Sequence, residues 1–404
     1  MASEPSRLIE TPTRSMLSIN VSAHAAIAAT FFAFGVGIGL WGGGSAALLA
    51  RTGVEAVTFG LTLTGFTAIY LAAMSGASAL ARPFGVKRVV IGSALLTCPA
   101  LAYLLTAGSA AALIGGFLIY GLFAGLLDAA MNSQGAALER RLGRPIMAAL
   151  HGGASSGAAV GAILGSLIVS GTTPWLAAVL ESVVFVAAAL LVGYAIPGDI
   201  KERPAGNATL DTKVLSRTLV ALGVVVGVSI ACETAALAWS APLLRSEAPK
   251  LAAISGLGGA FFAACQAALR LNADRIRGWI SDRTMIAVSL GVATTGLLIV
   301  ALPLGFAVSA LGFAIIGVGT GAIVPCGFAL AATRPGVSAA SAISAVAFFG
   351  LFARLPAPLA TGFIAQAYSL SAAFVAIAAV LICALIGVLI FVPVPPAAPR
   401  EVAS

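Results

Sequence analysis

An all-α polytopic membrane protein, with twelve transmembrane helices arranged in two six-helix halves, is the fold class this sequence predicts. Composition is the first reason. Of 404 residues, 60% are hydrophobic and 9% charged, and the mean hydropathy is +1.07, whereas a soluble domain carries about 25% charged residues. Segmentation is the second. Runs apolar enough and long enough, at about 20 residues, to cross about 30 Å of hydrocarbon recur twelve times along the chain. A polar stretch at 197–218 is the third, because it leaves six runs on either side. The runs are continuous and rich in Gly and Ala, which suits close helix packing and not the alternating strands of a barrel.

The spans fall at 25–49, 57–81, 89–105, 110–137, 146–169, 174–195, 219–244, 251–271, 285–304, 308–332, 339–364 and 372–392. The chain thus divides into a tail (1–24), a first half (25–196), a linker (197–218), a second half (219–392) and a second tail (393–404). Residues 1–19 are polar, and the Ala23-His-Ala25 pattern precedes the apolar run when a cleavage site should follow it. The run therefore reads as an uncleaved first helix. Of the 22 Lys and Arg, Arg354 lies within a span, only Arg51, Arg245 and Lys250 fall on one side, and all others fall on the opposite side. That asymmetry puts both termini in the cytoplasm, and the cytoplasmic (inner) membrane, crossed many times, is the default compartment. The net charge of +8 is then explained by topology and anionic lipid, with no nucleic acid as partner.

Ionisable groups inside the spans are the functional candidates, since a charge near the bilayer centre costs about 2.5–3.5 kcal/mol even on the lenient scale. In the fourth span Asp128 and Asn132 are four apart and share a face, and Gln134 follows. His151 enters the fifth span at about the depth of Gln134. A carboxylate among amide and imidazole groups is suited to taking and releasing a proton. The fifth span also carries Gly153, Gly157, Gly161 and Gly165, a seam for a tight helix crossing. Glu181, in the sixth span, lies near one end, where snorkelling or a structural bond accounts for it.

In the seventh and eleventh spans Glu233 and Arg354 come out at similar depth and are candidates for an intramembrane pair. Arg354 is followed by Pro356 and Pro358, which should break the helix and free carbonyls toward a cavity. It reads either as an anchor for the solute or as a structural partner of Glu233. Trp41 and Trp239 are candidates for stacking on a solute, against the alternative of interfacial anchoring. The five cysteines (Cys98, Cys232, Cys265, Cys326 and Cys383) have no C-x-x-C spacing and read as packing residues.

Two loops repeat one another: Arg82-Pro-Phe-Gly85-Val-Lys-Arg88 after the second span and Asp274-Arg275-Ile-Arg277-Gly-Trp-Ile-Ser-Asp-Arg283 after the eighth. Here the chain resembles the major facilitator superfamily, whose loop between helices two and three carries a glycine, acid and arginine signature echoed between helices eight and nine. The resemblance covers residues 25–392 and implies the major facilitator fold. It also implies gating roles for Arg82, Gly85, Arg270, Asp274 and Arg275, with Arg82 standing where the family has an aspartate. Asp128-x-x-x-Asn132-x-Gln134, leading through Arg-Arg-x-Gly-Arg-Pro to His151, is similar to the branch holding bacterial rhizopine-type transporters and, more distantly, the fucose:proton symporters. Cys232-Glu233 followed by Trp239-Ser240 resembles the same branch, with Ala238 in place of its aspartate. The symporters' carboxylate on helix 1 has no counterpart, because residues 25–50 contain no acid.

The resemblance implies a secondary active transporter of a small polar solute, of the sugar, cyclitol or amino-sugar kind, working by alternating access. Asp128 and Glu233 are its proton-coupling candidates, and Asn132, Gln134, His151, Trp41, Trp239 and Arg354 its solute-binding candidates. A drug or metabolite exporter of the same superfamily is the alternative, and a non-transporting membrane sensor a further one. No cofactor, metal or enzymatic activity is expected, since H-E-x-x-H and G-x-x-x-x-G-K-[ST] motifs are missing. A monomer in the lipid bilayer, with the solute and protons as partners, completes the expectation.

Overall fold

In a computed structural model, residues 14–171, 173–196, 198 and 216–393 are described, with side chains from Ser22 onward. Residues 1–13, most of the linker and 394–404, with Arg7, Lys201, Arg203, Lys213 and Arg400, lie outside the described residues, and residues 14–24 of the expected first tail are helical, because α1 already begins at Arg14. The first half comprises α1 (Arg14–Thr52), α2 (Ala56–Phe84), α3 (Val86–Leu105), α4 (Ala110–Leu142), α5 (Met147–Leu164, prolonged by one wide turn, Gly165–Val169) and α6 (Pro174–Ala195). The second comprises α7 (Arg217–Glu247), α8 (Leu257–Arg277), α9 (Asp282–Ala301), α10 (Phe306–Thr320), α11 (Ile323–Ala332), α12 (Ala339–Arg354), α13 (Ala357–Ala367) and α14 (Leu370–Phe391). Among the described residues there is no strand.

Among the described residues, eleven segments are both long and apolar enough to cross a membrane, with α10–α11 and α12–α13 each counting once. The twelfth run is α8, whose second half (Gln266, Arg270, Asn272, Asp274, Arg275, Arg277) is polar. It also starts later than the sequence predicts, because Pro249–Ile254 forms a separate 3₁₀ turn. Serine starts many of the helices: Ser109, Ser216, Ser281, Ser338 and Ser369 each accept a hydrogen bond from the backbone N–H three residues on.

The break after Arg354 falls where Pro356 and Pro358 predict it. A second break, between α10 and α11, has the same cause. Pro325 has no N–H to offer the Gly321 carbonyl four residues back, and Arg270 Nε donates to that carbonyl instead, at 3.4 Å.

Each half is built on a close crossing of its first and fifth spans. In the first half Gly35, Gly39 and Gly43 of α1 meet Gly157, Gly161 and Gly165 of α5, so tightly that a Cβ at Gly161 would fall on Val36 O. In the second half Gly223 and Gly227 of α7 meet Gly350 of α12 in the same way. Gly153, expected to belong to the seam, has nothing within 4 Å of a built Cβ and lies outside it. Between α2 and α3 the chain reverses on Gly85 alone, at φ 82° and ψ 151°. Only glycine occupies that region without strain, so Gly85→Ala is expected to lower stability by about 1–3 kcal/mol, read as a lower melting temperature of the detergent-purified protein.

The two halves are tied unequally along their length. Toward the end that carries the turn at Gly53, Arg245 Nη1 donates to Ala46 O (3.2 Å), Gly256 N to Ser166 Oγ (2.8 Å), Val57 N to Gln366 Oε1 (2.8 Å) and Leu359 N to Thr64 Oγ1 (3.1 Å). Gly60 and Gly362 let α2 and α13 touch backbone to backbone there. Nearer the end that carries Gly85, no hydrogen bond joins the halves beyond Ser155 and Arg270, among the described residues. This is a bundle sealed at its Gly53 end.

Candidate functional site

Two polar clusters stand at mid-depth, each joining one half to the other. In the first, Asp128 lies eighteen residues into α4, about 27 Å from its start at 1.5 Å per residue. Its Oδ2 accepts a hydrogen bond from Tyr70 Oη on α2 at 2.7 Å, and its Oδ1 accepts one from Asn132 Nδ2 at 2.9 Å. Asn132 Nδ2 also donates to Asp128 O at 2.8 Å, the geometry that their four-residue spacing imposes. From the second half Arg354, at the last turn of α12, places its guanidinium over the Tyr70 ring, 5.6 Å from the centroid. Its buried Nε has no hydrogen-bond partner. A cation–π contact returns about 0.5–2 kcal/mol, less than the several kcal/mol needed to strip a guanidinium of water.

The second cluster is saturated. Arg270 Nη2 donates to both oxygens of Glu233, at 3.3 and 3.2 Å, Nη1 donates to Ser155 Oγ at 2.9 Å, and Nε reaches Gly321 O. Ser155 Oγ donates to Gln266 Oε1 (2.9 Å), and Gln266 Nε2 to Thr320 Oγ1 (3.2 Å). The side chains of Arg270 and Glu233 are 15% and 16% exposed. Ser155 belongs to the first half and the rest to the second.

The expected pair of Glu233 with Arg354 is thereby corrected: Glu233 pairs with Arg270. Depth along a span is legible from residue numbers, but which helix stands beside which face is not. Here α8 brings Arg270 beside Glu233, and α2 brings Tyr70 between Arg354 and Asp128. Arg270 is also no loop residue, since it sits seven residues, about 10 Å, from the end of α8.

Other expectations are corrected by packing. Trp41 and Trp239 are 3% and 2% exposed, and Trp239 borders only a cavity of about 10 Å³, beside Leu63, Thr234 and Pro358. Trp41 meets Phe66 and Phe117 edge-on (6.2 and 5.2 Å), and Trp239 meets Phe59 (5.0 Å), an aromatic contact between the halves. Gln134, about 120° around α4 from Asp128, is buried with Oε1 unpartnered. His151 stands one turn before Ser155, edge-on to Phe31 at 5.2 Å, within the field of Arg270. Glu181 does not snorkel: it is fully buried inside the first half with Oε1 unpartnered.

At the loops, Arg82 is exposed and makes no hydrogen bond or ion pair among the described residues, so its expected latch is not formed. Lys87 ties this corner instead, donating to Gly193 O and Ile196 O at 2.8 and 2.6 Å. In the second half Arg277, which the sequence reading did not nominate, is the hub: it binds Asp282 at 2.6 Å and Asp274 at 3.5 Å. Arg275 lies over Trp279, 5.7 Å from the ring centroid. Burial alone raises no flag for Tyr70, Ser155, Gln266 or Thr320 in an apolar sequence. Their only sequence signal is a polar atom within a span.

The model of the Major Facilitator Superfamily matches residues 25–358. An uncharacterized MFS-type transporter of Yersinia pestis is 27% identical over 373 residues, covering 90% of this chain and 94% of that protein. The membrane protein MosC of Rhizobium meliloti is 28% identical over 357 residues, 88% and 86% of the two chains. Among solved structures, a mutant of the nucleoside transporter NupG is similar with a TM-score of 0.74 at 11% identity, covering 93% of this chain and all of that one. The fucose:proton symporter FucP of E. coli gives 0.59 at 16%, covering 92% and 98%; at such identities the likeness concerns the fold. With the family model spanning most of both six-helix halves, the chain belongs to the Major Facilitator Superfamily, whose fold and family are those of membrane transporters.

Proposed function

We propose that this protein is a secondary active transporter that moves a small polar, hydroxyl-bearing solute by alternating access, coupled to protons through Asp128. The observation that carries this is the first cluster. An acid at mid-depth, held only by the uncharged donors Tyr70 and Asn132, faces a cation supplied by the opposite half. A group placed so can carry a proton, and its surroundings change whenever the halves move. Glu233 is the second proton-coupling candidate, but both of its oxygens are engaged by Arg270, which favours a structural role.

With both termini cytoplasmic in the inner membrane, the sealed Gly53 end faces outward. Sugars, cyclitols and amino sugars fit the amide and hydroxyl groups of Asn132 and Tyr70. The exporter reading is favoured by the scarcity of such polar groups within the spans. A melting-temperature screen of the purified protein separates the two, since stabilisation by polar solutes supports uptake of a solute and stabilisation by lipophilic cations alone supports export.

In liposomes, Asp128→Asn is expected to abolish accumulation driven by a pH gradient while leaving solute exchange intact. Loss of solute binding in that variant would reassign Asp128 to recognition.

A further inference from the structure

Arg354 is one of two guanidiniums at mid-depth, and its situation is the reverse of the other's. Arg270 is satisfied by Glu233, Ser155 and Gly321. Arg354 makes no hydrogen bond and no ion pair among the described residues, rests on the Tyr70 ring and keeps a buried, unpartnered Nε. Its potential partner Asp128 is occupied: one oxygen is taken by Tyr70 and the other by Asn132, and the Tyr70 side chain stands between the two charges.

We infer that the transported solute carries a carboxylate and that Arg354 receives it by a forked hydrogen bond, in a site completed by Tyr70 and Asn132. Resting on the transport reading of this site, the inference names its substrate class: a hydroxylated acid in place of a neutral sugar or an amino sugar. A guanidinium presents planar, parallel donors that match a carboxylate, and a half-buried cation whose Nε is buried and left without a hydrogen bond is poised for an anion that arrives with the solute.

Coupling follows from the charges. With Asp128 ionised, Arg354 and Asp128 sum to zero across the Tyr70 ring, and a second negative charge is disfavoured. A proton taken from water by Asp128 leaves Arg354 uncompensated, and a solute carboxylate restores neutrality. Proton and anion therefore favour each other's binding, one of each per cycle, by the reciprocity that any such linkage obeys. Of the other ionisable groups deep in the spans, Glu233 on α7 is paired with Arg270, His151 on α5 packs edge-on against Phe31, and Tyr120 on α4 is stacked on Phe66. Glu181 on α6 is buried inside the first half, beside Ser182.

The test is a melting-temperature titration of the full-length protein in detergent, at mildly acidic and neutral pH, with matched probes: gluconate, glucuronate and lactate against glucose, myo-inositol and glucosamine. Acids are expected to stabilise the wild type, more strongly at the lower pH, and neutral or amino probes are not. Asp128→Asn should bind the acids equally at both pH values. Arg354→Gln should weaken them about tenfold or more, and Arg354→Lys, which keeps the charge, should retain part of the effect. Unliganded melting of each variant reports its folding.

If no acid stabilises the wild type, or acids stabilise Arg354→Gln as well as wild type, the inference is overturned. Neutral solutes that bind in its place would leave the transport reading standing. Acids that bind through Arg354 but never enter liposomes would overturn transport and keep the anion site.

Discussion

Arg270→Met is expected to destabilise the protein by about 3 kcal/mol, the lower end of what removing one partner of a buried ion pair costs. Burial of both side chains to about 85% sets the scale: they are 15% and 16% exposed. The substitution strands Glu233 as an unpaired carboxylate and returns the Gly321 carbonyl to the unsatisfied state that Pro325 created. It also removes the Nη1 bond to Ser155, which ties α8 to α5 across the halves. The double variant Glu233→Gln with Arg270→Met should recover much of the loss, because the stranded charge is gone while the packing remains. Melting of the three purified variants, with Glu233→Gln alone as the third, gives the coupling between them. Additive losses would mean that the pair contributes nothing as a pair.

Gly161→Leu is expected to have the largest effect of any substitution in the first half, because it leaves no folded protein to melt. A Cβ at Gly161 falls on Val36 O and comes within 3.0 Å of Leu40 N, so the added atoms meet backbone on α1, which has no rotamer to yield. Overpacking against side chains costs about 1–3 kcal/mol, and against a helix backbone it must separate α1 from α5 outright. Gly153→Ala is the control. It lies two turns earlier on the same glycine-spaced face, in open space, and should gain up to about 1 kcal/mol of helix propensity. Yield and monodispersity in size-exclusion chromatography measure both. A Gly161→Leu protein that elutes and melts like wild type would show that α1 and α5 do not cross as described.

Some of the site can be read along the chain because it depends on neighbours in sequence. Asp128 and Asn132 meet because four residues bring them one turn apart, and α12 stops at Arg354 because Pro356 and Pro358 follow. Pro325 obeys the same rule. Its effect is less conspicuous in the sequence because Gly321 and Ala322 continue the apolar run, so the break between α10 and α11 emerges only with the helix geometry. The glycine spacing of α5 signals a crossing, but nothing local names α1 as the partner or excludes Gly153 from it.

Partnership across the bundle is where residue order stops being informative. Glu233 with Arg354 is as reasonable as Glu233 with Arg270 on depth alone, and the rotation of α7 toward α8 selects the second. Tyr70 carries no charge and sits in an ordinary apolar run, yet it holds Asp128 and bears Arg354. Trp41 and Trp239 look like anchors at the membrane boundary until Phe59, Phe66 and Phe117 close around them. Hydropathy, the placement of charge and the breaks at proline follow from the solvation of each segment and from local backbone geometry, which every residue carries with it. Which polar groups are satisfied and which guanidinium is left waiting depend on helix rotation and on contacts between segments more than a hundred residues apart, such as Ser155 with Arg270, and those come into being only when the two halves pack.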